Sequence, residues 1–169
     1  MTMQIDIDIE DARWEALGLE ALAERAAAAV AQEFGLDPET CELSLLGCSD
    51  ARIAELNDEF RDKPRPTNVL SWPAEERGTE EAGAAPEAPQ PDIFGAITLG
   101  DIAIAVETCE REAAEQGKPV ADHVTHLLVH GLLHLMGYDH IRDEDAALME
   151  GIEIRILEQM GIVNPYEYI

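Results

Sequence analysis

The sequence predicts a single α+β domain of α/β-like character, in which a small mixed β-sheet packs with about five helices. The length of 169 residues corresponds to one domain. Hydrophobic residues make up 46% and charged residues 28% of the chain, a balance typical of globular proteins. Segments with the two-residue period of strands alternate along the chain with segments of helical composition. We therefore expect one compact domain that spans residues 1–169.

Four short segments have the composition or the alternation of β-strands. The predicted strands cover residues 3–9, 41–47, 69–72 and 97–105. The first alternates apolar and polar side chains, so we expect it to be half exposed. Pro73 closes the third strand, and Gly100 marks a bulge within the fourth, because glycine inside a strand often does so.

Five segments are predicted to be helices from their composition and from the residues at their ends. They cover about 17–34, 50–60, 106–116, 119–136 and 142–160. Ser49 and Asp50 offer an N-cap for the second helix, and Pro119 suits the first turn of the fourth, where its missing N–H costs nothing. Gly35 and Gly137 follow the first and fourth helices as natural C-terminal residues.

The segment 74–92 interrupts this pattern because alanine, glycine, proline and glutamate dominate it. Six acidic residues against Arg77 give the segment a net charge of −5. Such a composition is typical of a flexible, solvated acidic loop. We expect a loop within the single domain and not a domain of its own.

The chain is strongly acidic, with 36 Asp and Glu residues against 11 Lys and Arg residues and a net charge of −25. A field of this sign repels duplex DNA and anionic membranes, so we expect neither as a partner. It does not exclude a small, locally positive site. The cysteines (Cys41, Cys48 and Cys109) are odd in number and form no CxxC pair, and we find neither a signal peptide nor a membrane-spanning run. These features predict a cytoplasmic protein.

Three histidines near the end of the fourth predicted helix form the most informative pattern in the chain. His130 and His134 lie about 40° apart on one helical face, so their rings can meet at one ion. Gly137 ends the helix and lets His140 return to complete the set. Three imidazoles with an open fourth position describe a catalytic zinc site, here at the end of a central helix. His126, one turn earlier, is either a residue that orients a ligand or an ordinary packed histidine.

The histidine spacing also matches the H-E-x-x-H-x-x-G-x-x-H pattern of zinc endopeptidases, with one departure. Gly131 stands where those enzymes have their catalytic glutamate. A water molecule bound to the metal then lacks a general base at the expected place. The sequence therefore disfavours a peptidase.

A basic cluster precedes the third predicted strand. It contains Arg52, Arg61, Lys63 and Arg65. The planar fork of an arginine suits a phosphate oxyanion, and a zinc-activated water beside a guanidinium can cleave a phosphodiester. Four acidic residues in the same window leave a solvated helix end as the alternative.

Several motifs are shared with one known family. Residues 130–140 read H-G-L-L-H-L-M-G-Y-D-H, and the run from Pro66 to Pro73 follows Asn57, Phe60 and Arg61. Residues 99–102 read L-G-D-I. Further matches in the last helix and tail are Met149, Glu150, Glu153, Ile156, Leu157, Gly161, Pro165 and Tyr166. Together these features resemble the YbeY family of bacterial endoribonucleases, from about residue 43 to the end of the chain.

The resemblance implies a zinc-dependent, single-strand-specific endoribonuclease that matures the 3′ end of small-subunit (16S) ribosomal RNA and acts in ribosome quality control. It implies that His130, His134 and His140 bind one zinc ion and that Arg61 is the functional arginine. We expect zinc to activate water or polarise the phosphate, while Arg61 stabilises charge on the phosphoryl oxygens. Asp101 and Asp139 are candidates for the general base or for orienting a ligand, with hydrogen-bonded structural roles as the alternative.

The acidity of the chain is unusual for an enzyme that acts on RNA. Either the organism has an acidic proteome with high internal salt, or the ribosomal small subunit and its assembly proteins supply affinity and placement. The second explanation keeps a different function open, in which the protein is a zinc-braced ribosome assembly factor without hydrolytic activity. A zinc peptidase is the remote third candidate.

Overall fold

Four strands form one mixed sheet in the computed structural model, which describes residues 2–166. The strands are β1 (Gln4–Ile9), β2 (Cys41–Cys48), β3 (Val69–Pro73) and β4 (Ile97–Ala105). Their order in the sheet is β1-β2-β4-β3, with β1 and β4 parallel to β2 and β3 antiparallel to β4. The predicted α+β class, the mixed sheet and all four strands are confirmed, and β3 lies at an edge.

Six α-helices occur within residues 2–166, where the sequence predicts about five. They are α1 (Arg13–Leu17), α2 (Leu19–Phe34), α3 (Asp50–Arg61), α4 (Val106–Glu115), α5 (Val120–Leu135) and α6 (Asp143–Gln159). The additional helix is α1, which is separated from α2 by the left-handed conformation of Gly18 (φ 74°). Trp14 anchors this short helix, since its buried indole donates a hydrogen bond to the carbonyl of Cys48 over 2.9 Å.

Helix α5 is the central helix of the domain and contacts both β3 and β4 as well as α2, α4 and α6. Its side chains join the main core, to which β4 contributes Ile102 and Ile104. Ala103 and Ala105 alternate with these residues and pack in a second, smaller core with Ile53 of α3. Because successive side chains of a strand point to opposite faces, α5 and α3 lie on opposite faces of the sheet.

The predicted bulge in β4 is confirmed at the pairing with β2. Glu42 pairs with Thr98 and Leu43 pairs with Gly100, so one residue of β4 has no partner in this register. Gly100 has a φ of 143°, and a Cβ atom there would lie 2.2 Å from the carbonyl oxygen of Trp72. Only glycine satisfies both the backbone conformation and the close approach of β3.

The three cysteines are buried in the interior of the domain. Cys41, Cys48 and Cys109 are all free and buried, so none of them forms a disulfide. Burial raises the pKa of the Cys48 thiol to about 12, which makes it a packing residue and not a nucleophile. Within residues 2–166, no helix is both long and apolar enough to span a bilayer.

Replacing Gly100 by alanine should lower the free energy of unfolding by more than about 1 kcal/mol, because the native φ and the contact with β3 exclude a side chain. Gly151 is the matched control, since it lies exposed inside α6 with open space around it. Alanine at position 151 should raise stability by about 1 kcal/mol through helix propensity. Denaturant unfolding of both variants measures the changes, and a Gly100→Ala protein as stable as wild type would contradict the bulge.

Candidate metal centre and cleft

Helix α5 presents two histidines on one face, and the following turn returns a third to them. The ring centroids of His130 and His134 lie 4.5 Å apart, and the ring of His140 lies 5.2 and 5.1 Å from them. One nitrogen from each of the three rings falls within 4.8 Å of the other two. The structure thus brings together the three ligands that the sequence predicts.

Gly137 makes the return of the chain possible. Its φ of 102° is in the region that favours glycine, and a Cβ atom there would lie 2.7 Å from the backbone of Arg77. Arg77 holds this close position because its guanidinium donates hydrogen bonds to the carbonyls of Leu135, over 2.8 Å, and Thr98, over 3.1 Å. The turn that carries His140 is therefore packed directly against the segment after β3.

The hydrogen bonds of the rings show which nitrogens face the centre. His134 Nδ1 donates to the carbonyl of Tyr138 over 2.9 Å, and since a carbonyl can only accept, the Nε2 of His134 carries a lone pair. His130 Nδ1 lies 2.5 Å from a carboxylate oxygen of Glu153, and a neutral ring that donates its proton there has its lone pair on Nε2. The two Nε2 atoms are 3.0 Å apart. Two lone pairs at this distance repel each other unless a cation lies between them, so the donor set fits a Zn²⁺ ion.

Burial of the histidine rings favours their neutral form, which can bind a cation. Burial lowers the pKa of His134 to about 4, and the neighbouring rings of His130 and His140 act in the same direction. His134 is therefore neutral near pH 7, as a metal ligand must be. Burial also lowers the pKa of His126.

Glu153 of α6 is the residue of this site that sequence reasoning missed. It is fully buried and accepts hydrogen bonds from His130, from His126 Nε2 over 3.2 Å and from the hydroxyl of Tyr166. Burial alone would raise its pKa, but the hydrogen bonds from His126 and His130 hold that pKa below its ordinary value. One signal was present in the sequence, because Glu153 lies on the same helical face as the apolar Met149 and Ile156.

His126 and His123 lie farther from the centre. His126 contacts Glu153, and its ring centroid lies 6.3 Å from that of His130, but its nitrogens do not belong to the group formed by His130, His134 and His140. His123 is buried and lies 2.9 Å from a carboxylate oxygen of Glu112, which also accepts a hydrogen bond from Asn68 over 3.0 Å. The hydrogen bond with His123 lowers the pKa of Glu112. This second pair links α4 to α5 and to the start of β3.

An open cleft of 1030 Å³ lies in front of the three rings. Arg61 and Lys63 line it from the end of α3, and Ser71 lines it from β3. One guanidinium nitrogen of Arg61 donates to the carbonyl of Ser71 over 3.1 Å, which holds the side chain along the edge strand. The cleft therefore combines the predicted ligands with an arginine that is hydrogen-bonded to the edge strand.

Only part of the predicted basic cluster faces the cleft. Arg52 forms ion pairs with Glu10 and Glu55 at the exposed surface, over 3.3 and 3.1 Å. Arg65 is exposed and does not belong to the described lining of the cleft. For these two residues the alternative of a solvated helix end is the better description.

A local backbone feature builds the loop that carries Lys63. Asp62 ends α3 in the left-handed conformation (φ 55°), which no other non-glycine residue within 2–166 adopts. Buried Asn57 holds the loop from two sides, since its carbonyl accepts from the backbone N–H of Lys63 over 3.2 Å and its amide donates to the carbonyl of Arg65 over 3.0 Å. The end of α3 is thereby fixed at the rim of the cleft.

The opposite rim consists of residues 76–86, part of the acidic segment 74–92. Arg142 donates hydrogen bonds to the carbonyls of Glu80 and Thr79 over 2.7 and 2.9 Å. Asp145 of α6 accepts a hydrogen bond from the backbone of Gly83 over 2.9 Å. The segment contains neither helix nor strand in the described residues, but these contacts tie it to the start of α6 beside the cleft.

The two aspartates named from the sequence lie in different places. Asp139 lines the cleft, and its carboxylate accepts a hydrogen bond from the backbone of His140 over 2.7 Å. Asp101 is exposed on β4 and pairs in register with Ser44 and Trp72. The neighbouring Ile102 faces α5, so Asp101 points to the opposite face of the sheet, and the structure does not bring it to the three histidines.

Gly131 lies at a close contact between α5 and the sheet. A Cβ atom there would be 3.1 Å from Ser71 Oγ and 3.2 Å from Ile102 Cδ1. A glutamate, which zinc peptidases have at this position, has no room between the helix and β3. The geometry therefore agrees with the sequence in disfavouring a peptidase.

Comparison with known proteins identifies a family that matches nearly the whole chain. The family model described as endoribonuclease YbeY matches residues 4–161. Proteins named endoribonuclease YbeY from Ruegeria pomeroyi and Cereibacter sphaeroides are 64% and 60% identical to this chain over 164 and 163 residues. These alignments cover 97% and 96% of this chain and 98% of each relative.

A solved structure supports the fold. The solution structure of a protein from Thermotoga maritima matches with a TM-score of 0.55 and 23% identity, over 97% of this chain and 99% of that protein. At 23% identity the match supports the fold and nothing further about this chain. The family model and the relatives decide the classification: the chain belongs to the endoribonuclease YbeY family.

Proposed function

We propose that this protein is a zinc-dependent, single-strand-specific endoribonuclease that matures the 3′ end of small-subunit (16S) ribosomal RNA and acts in ribosome quality control. The observation that carries this proposal is the cluster of three histidines that opens, together with Arg61, into one cleft. Membership of the endoribonuclease YbeY family supports the reaction class.

His130, His134 and His140 would hold one zinc ion, the first two through Nε2. A zinc ion bound there supplies Lewis-acid activation of a water molecule and of the scissile phosphate. The buried side of the cluster, where Tyr138 and Glu153 accept hydrogen bonds, orients the rings toward the cleft. The cleft side leaves room for the substrate.

Arg61 is proposed as the catalytic residue that contacts the phosphate. The carbonyl of Ser71 engages one of its nitrogens, which leaves other N–H groups for phosphoryl oxygens. Charge grows on these oxygens as the phosphodiester is attacked, and a preorganised cation beside them lowers the barrier. An arginine keeps its charge at any working pH.

Asp139 is proposed to shape the turn that carries His140, or to accept a proton from the attacking water. Of Asp101 and Asp139, only Asp139 belongs to the lining of the cleft, which also includes Glu76 and Asp145. We propose no role in the reaction for Asp101, which lies on the other face of the sheet.

The charge of the chain and the shape of the cleft support a single-stranded substrate and additional binding partners. The net charge of −25 opposes binding to an extended duplex, while Arg61 and Lys63 offer a short cationic rim inside the cleft. A single strand can enter between the end of α3 and residues 76–86. We propose that the ribosomal small subunit and its assembly proteins supply the remaining affinity, in the cytoplasm.

The wild-type protein should bind one zinc ion per chain, and His134→Ala should lose stoichiometric zinc because one of three ligands is removed. His123→Gln is a matched control on the same helix, since His123 contacts Glu112 and not the cluster. Metal analysis after dialysis measures the content. Zinc retained by His134→Ala at the wild-type level would contradict the assignment of the ligands.

Arg61→Ala should lower cleavage of a single-stranded RNA that carries the 3′ end of small-subunit ribosomal RNA by about 10²–10³-fold, the usual effect of removing one transition-state donor. Its zinc content should not change. Arg65→Ala removes the same charge four residues away, outside the cleft lining, and should cleave within about twofold of wild type.

Two outcomes would contradict this prediction in different ways. Wild-type activity in Arg61→Ala would exclude the arginine from the reaction. A zinc-loaded wild-type protein that does not cleave, even when small subunits are added, would favour the zinc-braced assembly factor.

A further inference from the structure

We infer that Glu153 is a positioning residue of the metal centre, whose buried carboxylate holds His130 with Nε2 directed toward the metal. The inference rests on the proposed zinc site and adds to it a residue outside the cleft. It also gives His126 a role, because this histidine holds the carboxylate of Glu153 in place and does not bind the metal.

The carboxylate of Glu153 is unusual because it is completely buried without a permanent cation. Its side chain has 0% exposure, and its ion-pair partners within residues 2–166 are His126 and His130. A buried carboxylate is costly unless hydrogen-bond donors satisfy it. Because Glu153 lies on the buried face of α6, its carboxylate needs the hydrogen-bond donors His126 and His130, which α5 provides.

The two oxygens of the carboxylate have different partners. One oxygen lies 2.5 Å from His130 Nδ1, and the other accepts from His126 Nε2 over 3.2 Å and from the Tyr166 hydroxyl. His126 and Tyr166 thus anchor one oxygen and aim the other at His130. The orientation of His130 is set from behind, on the side away from the cleft.

This arrangement has a direct consequence for metal binding. A proton on His130 Nδ1, shared with Glu153, leaves a lone pair on Nε2, which faces His134 Nε2 at 3.0 Å. The carboxylate also makes the ring a better electron donor and brings a negative charge next to a dication. Removal of the carboxylate should therefore weaken metal binding even though no metal ligand is lost.

The same atoms could in principle hold a second metal, since donor atoms of His126, His130 and Glu153 lie within 4.8 Å of one another. Two ligands of one tetrahedral zinc ion, with bonds of about 2.0 Å, are separated by about 3.3 Å. The separation of 2.5 Å between His130 Nδ1 and the carboxylate is much shorter than this. It is the distance of a strong hydrogen bond, which favours a positioning role over a second metal site.

The chain contains a matched control for this pair. Glu112 lies 2.9 Å from His123, two turns before His130 on the same helix, and does not contact the three ligands. The pair has the same chemistry and also joins α5 to a neighbouring helix. Glu112→Gln should therefore reproduce any general effect of disturbing such a pair without the effect on the metal.

The experiment compares zinc affinity of wild type, Glu153→Gln and Glu112→Gln by competition with a chelator, and the visible spectrum of each protein loaded with Co²⁺. We expect Glu153→Gln to bind zinc about 10–100-fold more weakly and with an altered Co²⁺ spectrum. Glu112→Gln should stay within about twofold of wild type, with an unchanged spectrum. Thermal unfolding of the metal-free proteins shows that each variant is folded.

Wild-type affinity and spectrum in Glu153→Gln would overturn the inference and leave the proposed zinc site standing. Two zinc ions bound to wild type and one bound to Glu153→Gln would also overturn the inference, because Glu153 would then be a ligand of a second metal. Absence of zinc binding by wild type would overturn both proposals.

A measurement on wild type covers the case in which Glu153→Gln does not fold. Nitrogen NMR of the zinc-loaded protein should show His130 protonated on Nδ1 and ligated through Nε2. Ligation of His130 through Nδ1 would overturn the inference.

Discussion

The close contact of helix α5 with strands β3 and β4 determines the geometry of the site. At Gly131 the helix approaches so closely that a single Cβ atom would meet Ser71 and Ile102. The same helix carries His130 and His134 one residue before and three residues after this glycine, and Arg61 is held by the carbonyl of Ser71. This packing contact links the helix that carries two of the predicted ligands to the strand that binds the arginine, although these residues come from distant parts of the chain.

Charge is distributed so that the cleft differs from the rest of the molecule. The chain carries −25 overall, yet Arg61, Lys63 and three imidazoles meet at the cleft. Glu153, which has the one fully buried carboxylate among residues 2–166, lies behind them. A surface of this kind gives little nonspecific attraction for RNA. Recognition of RNA then depends on the local fit of a strand in the cleft.

The local patterns of the sequence predicted the fold well, because strand alternation, glycine caps and the histidine spacing are properties of neighbouring residues. The grouping of the three histidines followed from helical spacing and from the turn at Gly137, and the bulge at Gly100 followed from one glycine in a strand. What depends on tertiary contacts was not predictable. The helical face shared with Met149 and Ile156 indicates that Glu153 is buried, but its hydrogen-bond partners on α5 depend on how the two helices pack. The turn built by Asn57 and Asp62 determines that Arg61 lines the cleft and that Arg65 does not. Helix α1 was missed because it is one turn long and is held by Trp14.

Cleavage of single-stranded RNA by Arg61 together with a metal held by His130, His134 and His140 requires that metal. Stripping the wild-type protein of metal and titrating zinc back while cleavage is followed measures this requirement directly. We expect the stripped protein to be inactive and its activity to reach a maximum at one zinc ion per chain. Full activity in the stripped protein, with metal absent by elemental analysis, would show that the reaction does not need the metal.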